Sequence, residues 1–258
     1  MLRSERNKVA RILDWAATGA AAGGVFSALA TFELAQRIAI RLGPHAHQRT
    51  VSGMAHAVNL AAGLAGTRFR VEGLEHVAPG RNYVIVSNHQ SLLDISMCSH
   101  YLRALQPRYI SKKELARGIP GVSFNIRRGG SAAIDRKDPE QAHQAIAELA
   151  RHVHEDGWSV CIFPEGTRSK TGTMRAFRTG GLLTLLANAP GVPVLPVTTS
   201  GGSRLFAHGL KPIVRGVELV FRVHPSMTPP DPHDEAAMRE FLRAVEETIA
   251  RGLRTEHA

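Results

Sequence analysis

Residues Tyr83–Ile95 read YVIVSNHQSLLDI, and two periodicities meet within them. YVIVS is apolar at every position but its last, the pattern of a strand covered on both faces of a sheet. From Leu92 to Leu105 the chain reads as a helix. The junction holds Asn88, His89 and, five residues after the histidine, Asp94. In an open α/β sheet ligands gather just beyond the carboxyl ends of the strands, which is where His89 falls. A carboxylate near a histidine fixes the imidazole tautomer and raises its basicity. Asp94 fits a second role equally well: Ser91 and Asp94 have the spacing of a capping box, with Ser91 as N-cap and Asp94 at the third helical position.

The same alternation continues outward. RFRVEGL before this stretch reads as a strand, as do RYIS (108–111), SAAID (131–135), SVCIF (159–163), VPVLPVTTS (192–200), interrupted by Pro193 and Pro196, and VELVFRV (217–223). Asp138, Pro139 and Gln141 open a helix by their capping pattern. Ala142, Ala145, Ile146, Leu149 and Val153 give it an apolar stripe, and Gly157 ends it. Further helices are expected over Thr179–Ala189 and Asp234–Leu253. Strands alternating with helices predict an α/β fold, a mostly parallel sheet flanked by helices.

Residues 1–67 differ in composition from 68–258, which are expected to form the α/β domain. Trp15–Phe32, bounded by Asp14 and Glu33, has no charged residue over 18 positions, and Val51–Thr67 has none over 17 apart from His56. RLGPH (41–45) between them holds turn residues. The expectation is a two-helix hairpin lying in or partly entering a membrane. A helical pair buried against the main domain and true spanning helices are the alternatives; the segments are short and rich in Ala and Gly for spanning. A secretory signal is not expected, because the polar stretch before the apolar run is long.

The chain has 258 residues and a net charge of +10, from 32 Lys and Arg against 22 Asp and Glu. Arg103–Lys137 holds nine basic residues opposed only by Glu114 and Asp135. Such a surface draws phosphates or an anionic membrane. With only Tyr109 and Phe124 as aromatics, this segment offers no base-stacking platform, and no nucleic-acid partner is expected. Cys98 and Cys161 form neither a disulfide framework nor a CxxC site. The 13 histidines include no HExxH, so no metal or other cofactor is expected.

Two further stretches lie after strands. IFPEGTRSKTG (162–172) places Glu165 and Arg168 around the small residues Gly166 and Thr167, a turn whose amides and arginine suit a phosphate. It equally suits a surface turn with a local Glu–Arg ion pair. GGSAAIDRKD (129–138) brings Arg136 to the end of a strand.

NHQSLLD, GSAAIDR, FPEGTRS and VPVLPV, in this order and spacing, resemble the four blocks of the glycerolipid acyltransferase family, over about Asn82–Val223. The resemblance implies transfer of an acyl chain from acyl-CoA or acyl-carrier protein to the free hydroxyl of a lysophospholipid. Its implied acceptor is 1-acylglycerol-3-phosphate, giving phosphatidic acid. It implies His89 as general base oriented by Asp94, with no acyl-enzyme. It also implies substrate-binding roles for Asn88, Arg136, Glu165, Gly166, Thr167, Arg168 and Pro196, the last shaping a pocket. Phe177–Gly180 is similar to the family's basic stretch after the third block. Leu92, Ala132 and Ala133 depart from the bulkier residues usual in the family. A lyso-ornithine lipid as acceptor, or a non-catalytic lipid-binding protein at the membrane surface, are the alternatives. In a bacterium such an enzyme is expected on the cytoplasmic face of the inner membrane.

Overall fold

The computed structural model describes residues 2–209 and 212–254; Met1, 210–211 and 255–258 lie outside it. Among the described residues seven strands form one sheet. They are β1 (Arg68–Glu72), β2 (Val84–Ser87), β3 (Arg108–Lys112), β4 (Ala132–Ile134), β5 (Val160–Ile162), β6 (Val194–Ser200) and β7 (Glu218–Val223), in the order β1-β7-β6-β2-β5-β3-β4. Every neighbouring pair is parallel except β6 and β7. The helices are α1 (Leu2–Ala39), α2 (Pro44–Gly63), α3 (Leu93–Tyr101), α4 (Val122–Arg128), α5 (Pro139–Glu155), α6 (Thr179–Asn188), α7 (Gly202–Leu205) and α8 (Glu235–Arg254).

Two apolar layers hold this sheet between helices. On one face Ile85, Cys161, Leu195 and Phe221 pack with residues of α1, α2 and α3. On the other Val84, Val86, Val160, Ile162 and Val194 pack with α5, α6 and α8. Alternate residues of β2 thus enter opposite cores, which is why YVIVS carries no polar face. The α5 cap forms as its sequence predicts: Asp138 accepts a 3.0 Å hydrogen bond from the amide of Gln141, with Pro139 at the first turn.

Three expectations need correction. The helix expected over Leu92–Leu105 ends at Tyr101, and a separate 3-10 turn spans Arg103–Leu105. Pro196 does not interrupt its strand. β6 runs unbroken from Val194 to Ser200, with Pro196 opposite Val86. The apolar run at 15–32 is only the middle of a 38-residue helix, which passes through both bounding acids. Asp14 pairs with Arg215, and Glu33 accepts a hydrogen bond from the amide of Gly121. Those charges face partners elsewhere in the fold, so they do not stop the helix. The turn comes instead at Gly43, whose φ of +113° suits glycine, followed by Pro44 at the start of α2.

The two N-terminal helices pack tightly on each other and on the main domain. A Cβ added at Gly24 would meet Ala61 Cβ at 2.9 Å, so glycine permits this approach. α2 buries Val51, Met54, Ala55 and Val58, and its Asn59 accepts a 2.7 Å hydrogen bond from Ser96 of α3. The hairpin still leaves a large apolar surface uncovered. Ile12, Trp15, Phe26, Leu34, Ile38, Leu42, Leu60 and Leu64 are all exposed. Among the described residues Arg11–Leu42 is long and apolar enough to cross a membrane, by length and composition.

Candidate active site

Because β2, β3, β4, β5 and β6 run parallel, their carboxyl ends share one edge of the sheet. The site is assembled on that edge from loops that follow β2 and β5. Asn88 comes first and is fully buried. Its Nδ2 donates to the carbonyl of Thr199 at 2.8 Å, and its Oδ1 accepts from the amide of Thr199 at 2.7 Å. Both polar ends of the side chain are thus engaged in tying the end of β2 to the end of β6. Asn88, expected to bind substrate, thus has its side chain bound to Thr199 beside the backbone from which His89 projects.

The Nδ1 of His89 lies 2.8 Å from Asp94 Oδ2. The same oxygen accepts from the amides of Gln90 at 2.6 Å and Ser91 at 2.8 Å. An oxygen acting as acceptor to three groups makes Nδ1 the protonated nitrogen, which leaves the lone pair on Nε2. Among the described residues Nε2 meets no hydrogen-bonding partner. The ring lies 4.4 Å from that of Phe163 at an interplanar angle of 28°, and the side chain is 16% exposed. Asp94 is buried, and its other oxygen accepts from Ser91 Oγ at 2.8 Å. The two readings of Asp94 are therefore both realised by one carboxylate. The capping box is shifted, since α3 begins at Leu93, whose amide donates to Ser91 Oγ at 3.1 Å.

The loop after β5 braces this histidine. Glu165 is 2% exposed; Oε1 accepts from the amide of His89 at 2.7 Å, and Oε2 from the amide of Arg175 at 2.8 Å. Burial pushes its carboxyl above the usual range, against the lowering effect of those two amides. The local Glu165–Arg168 ion pair is not formed; Glu165 turns inward and Arg168 stays exposed. Ser169 donates its amide to the carbonyl of His89 at 2.7 Å, and Gln90 donates Nε2 to the carbonyl of Gly172 at 3.1 Å. The two loops are thus joined at three points. Gly202 completes the packing. A Cβ there would come within 2.6 Å of Ser91 Cβ, so only glycine lets the start of α7 close over the loop.

Cations gather at the same edge. Arg168 directly precedes Ser169, and Thr167 beside it is exposed. Gly166 has a φ of +68°, and the side chain of Arg178 passes over it, 3.4 Å from the place a Cβ would occupy. Arg136 follows β4; its surface is exposed, yet partial desolvation and then the nearby Arg178 lower its pKa. Lys112 ends β3, where it is the register partner of Ile134, two residues before Arg136. Arg178 and Lys112 are the residues that sequence reading did not place. The basic stretch Phe177–Gly180 was the only available sign of Arg178. Pro196, expected to shape a pocket, is buried within β6 three residues before Thr199, inside the sheet.

The cysteines stand apart from this edge. Cys98 and Cys161 are free and fully buried, with Sγ atoms 4.0 Å apart. The Cys98 thiol is pushed well up by its hydrogen bond to Cys161 and by burial. A thiol raised in this way is a poor nucleophile.

A family model described as Acyltransferase matches residues 68–200. A 1-acyl-sn-glycerol-3-phosphate acyltransferase of Pseudomonas aeruginosa is 36% identical over 146 residues, 57% of this chain and 54% of that protein. A 1-acyl-sn-glycerol-3-phosphate acyltransferase alpha of Mus musculus is 31% identical over 198 residues, 75% of this chain and 67% of that one. The chain spans about half the length of most of the curated relatives it matches. The crystal structure of the 1-acyl-sn-glycerophosphate (LPA) acyltransferase PlsC from Thermotoga maritima superposes with a TM-score of 0.70 at 25% identity, over 99% of this chain and 98% of that one. A matching family model over the stretch that carries His89, Asp94 and Glu165, and a like fold over nearly the whole length, have one meaning: the chain belongs to the acyltransferase family.

Proposed function

We propose that this protein transfers an acyl chain from an acyl thioester to the free hydroxyl of 1-acylglycerol-3-phosphate, giving phosphatidic acid. The observation that carries this reading is the His89 ring, held at Nδ1 by buried Asp94 with Nε2 unengaged beside a cluster of cations. The names of the relatives support the acceptor.

In the proposed mechanism Nε2 of His89 takes the hydroxyl proton as the oxygen attacks the thioester carbonyl. The tetrahedral intermediate collapses, the C–S bond breaks, and the thiolate takes the proton back from the imidazolium. Asp94 stabilises the imidazolium in between. A positioned imidazole contributes roughly 10²–10⁴-fold to such a step. Arg136 and Arg168, with the amides of Gly166 and Thr167, hold the acceptor phosphate, and Arg178 adds a third arginine. Fixing the phosphate fixes the hydroxyl relative to Nε2. Glu165 acts by positioning the His89 backbone. Burial of both cysteines supports direct transfer without an acyl-enzyme.

Residues 1–67 form a membrane-associated hairpin in this reading, with 68–258 as the catalytic domain. The exposed apolar residues of α1 and α2 enter the bilayer, and the basic excess adds attraction to anionic head groups, on the order of 1 kcal/mol per well-placed Lys or Arg. In a bacterium the enzyme would work at the cytoplasmic face of the inner membrane.

The test is an acyl-transfer assay that crosses 1-acylglycerol-3-phosphate and lyso-ornithine lipid with acyl-CoA and acyl-carrier protein donors, for wild type and His89→Ala. Transfer to 1-acylglycerol-3-phosphate that disappears in the variant is expected. Preferred acylation of the ornithine lipid would overturn the acceptor, and no transfer with any pair would overturn the enzymatic reading.

A further inference from the structure

α3 begins beside the catalytic pair and ends at a second, separate feature. His100 lies six residues beyond Asp94, about 9 Å along the helix axis. There a cleft of about 750 Å³ opens between α2, the end of α3 and the 3-10 turns at 74–76 and 103–105. Its position in the sheet is opposite to that of the active site. Gln106 in its wall lies two residues before the start of β3, so it opens toward the amino edge of that strand, whereas His89 follows the carboxyl end of β2.

The walls carry Arg49, His56, His100 and Arg103 and contain no Asp or Glu. The imidazoles of His56 and His100 stack at 4.4 Å and 28°. Burial, then His56 and Arg103, hold the pKa of His100 below its usual value; both neighbouring charges that act on it are cationic. Gln106 itself holds a φ of +46°, the one non-glycine residue among those described with positive φ. Like charges brought together without an acid repel one another, and a bound anion relieves that repulsion.

We propose that this cleft is an anion site distinct from the active site, and that its ligand is a phosphate group. Two arginines and two imidazoles line it and supply N–H donors suited to phosphate oxygens, with Arg103 Nη1 also donating to the carbonyl of His100 at 3.3 Å. The cleft is roomier than phosphate alone requires. Leu74 is exposed at its wall, and Leu60 is exposed one helical turn from His56. An amphiphile with a phosphate head suits that combination, and free phosphate shares the same recognition chemistry.

The test is histidine NMR on the full-length protein in neutral-detergent micelles, with the ring resonances of His56 and His100 assigned by His→Gln variants. One arm adds inorganic phosphate. The other replaces micelles by phosphatidylcholine nanodiscs with or without phosphatidylglycerol. Both rings are expected to shift and the apparent pKa of His100 to rise. Arg49→Gln with Arg103→Gln should abolish the response, while Arg168→Gln should keep it. A response to phosphatidylglycerol discs at negligible free phosphate identifies a lipid head group; a response to phosphate alone identifies a soluble anion. Silence of both rings in both arms, or a response unchanged in the double variant, would overturn the site.

Discussion

The carboxylate of Glu165 holds the backbone amide of His89 at 2.7 Å. Two motifs separated by 76 residues are therefore joined, and the position of His89, the proposed general base, depends on this acid.

Glu165→Gln should lower acyl transfer and stability together. The amide keeps one acceptor but turns an NH₂ toward a second backbone N–H, at a cost of about 1–3 kcal/mol. The pH dependence has a definite sign. Burial raises the Glu165 carboxyl above its ordinary value of 4.5, so in that window the native state binds more protons than the unfolded one. Stability should fall as pH rises from 4.5 through the folded pKa and then level off. Denaturant melts of wild type and variant across this window check the point. A wild-type profile no steeper than that of Glu165→Gln would be inconsistent with it.

Asp94 serves two purposes at once, and two substitutions separate them. Asp94→Asn keeps an oxygen for the amides of Gln90 and Ser91 but loses the charge that stabilises the imidazolium. Transfer should fall about 10²–10⁴-fold with a small change in melting temperature. Asp94→Ala should lose a comparable amount of activity and, in addition, about 0.5–2 kcal/mol of stability from the lost cap. Active but unstable Asp94→Ala would leave the residue with its capping role alone.

Arg178→Gln should raise the KM for the lysophospholipid while leaving unfolding nearly unchanged. Loss of one charge-assisted hydrogen bond to phosphate corresponds to about 1.5–3 kcal/mol, roughly tenfold or more in KM. The folded protein has little to lose, since Arg178 stands near a like-charged Arg136. Steady-state kinetics against acceptor concentration, beside a thermal melt, distinguishes a substrate contact from a structural one. An unchanged KM would place Arg178 outside the acceptor site.

Replacing both cysteines by alanine should leave acyl transfer intact, with a loss of stability from the two emptied positions in the core. Mass spectrometry of the wild-type enzyme during turnover should find no acylated protein. A trapped acyl-enzyme would overturn direct transfer.

The apolar face of the hairpin can be tested without removing it. Deleting residues 1–67 would strip Val51, Met54 and Val58 from the core as well. Phe26→Lys with Leu34→Lys instead changes two residues that are each 64% exposed. Flotation with liposomes should weaken while far-ultraviolet circular dichroism and melting temperature hold. Unaltered flotation at high salt would show that this face is not the anchor.

What sequence could show was local. β2, β5 and the capped α5 were readable because apolar runs and an Asp-Pro opening are properties of neighbouring residues. His89 with Asp94 was readable for the same reason. Asn88 was not, because its partner, Thr199, is 111 residues away and only the fold brings β6 beside β2. The extent of α1 was hidden by taking Asp14 and Glu33 as ends, when Arg215 and Gly121 satisfy them from distant parts of the chain. The short helices α4 and α7 carry too few turns for a periodicity. The reversed direction of β7 has no signature in its own residues, since VELVFRV suits a parallel or an antiparallel neighbour alike.

The placement of β1 governs the order in which the molecule is completed. Among the described residues β1 is the first strand in the chain, yet its one partner in the sheet is β7, with Arg68 beside Glu218. While the ribosome adds the intervening residues, β1 has nothing to pair with, and the five parallel strands can assemble without it. Closure of so long a loop is slow compared with local pairing. β1, which follows α2 in the chain, is therefore the last strand to dock. A chain that stops short of Glu218 would present β1 as an unpaired edge, a template for aggregation, even though His89, Asp94 and Glu165 had all been synthesised.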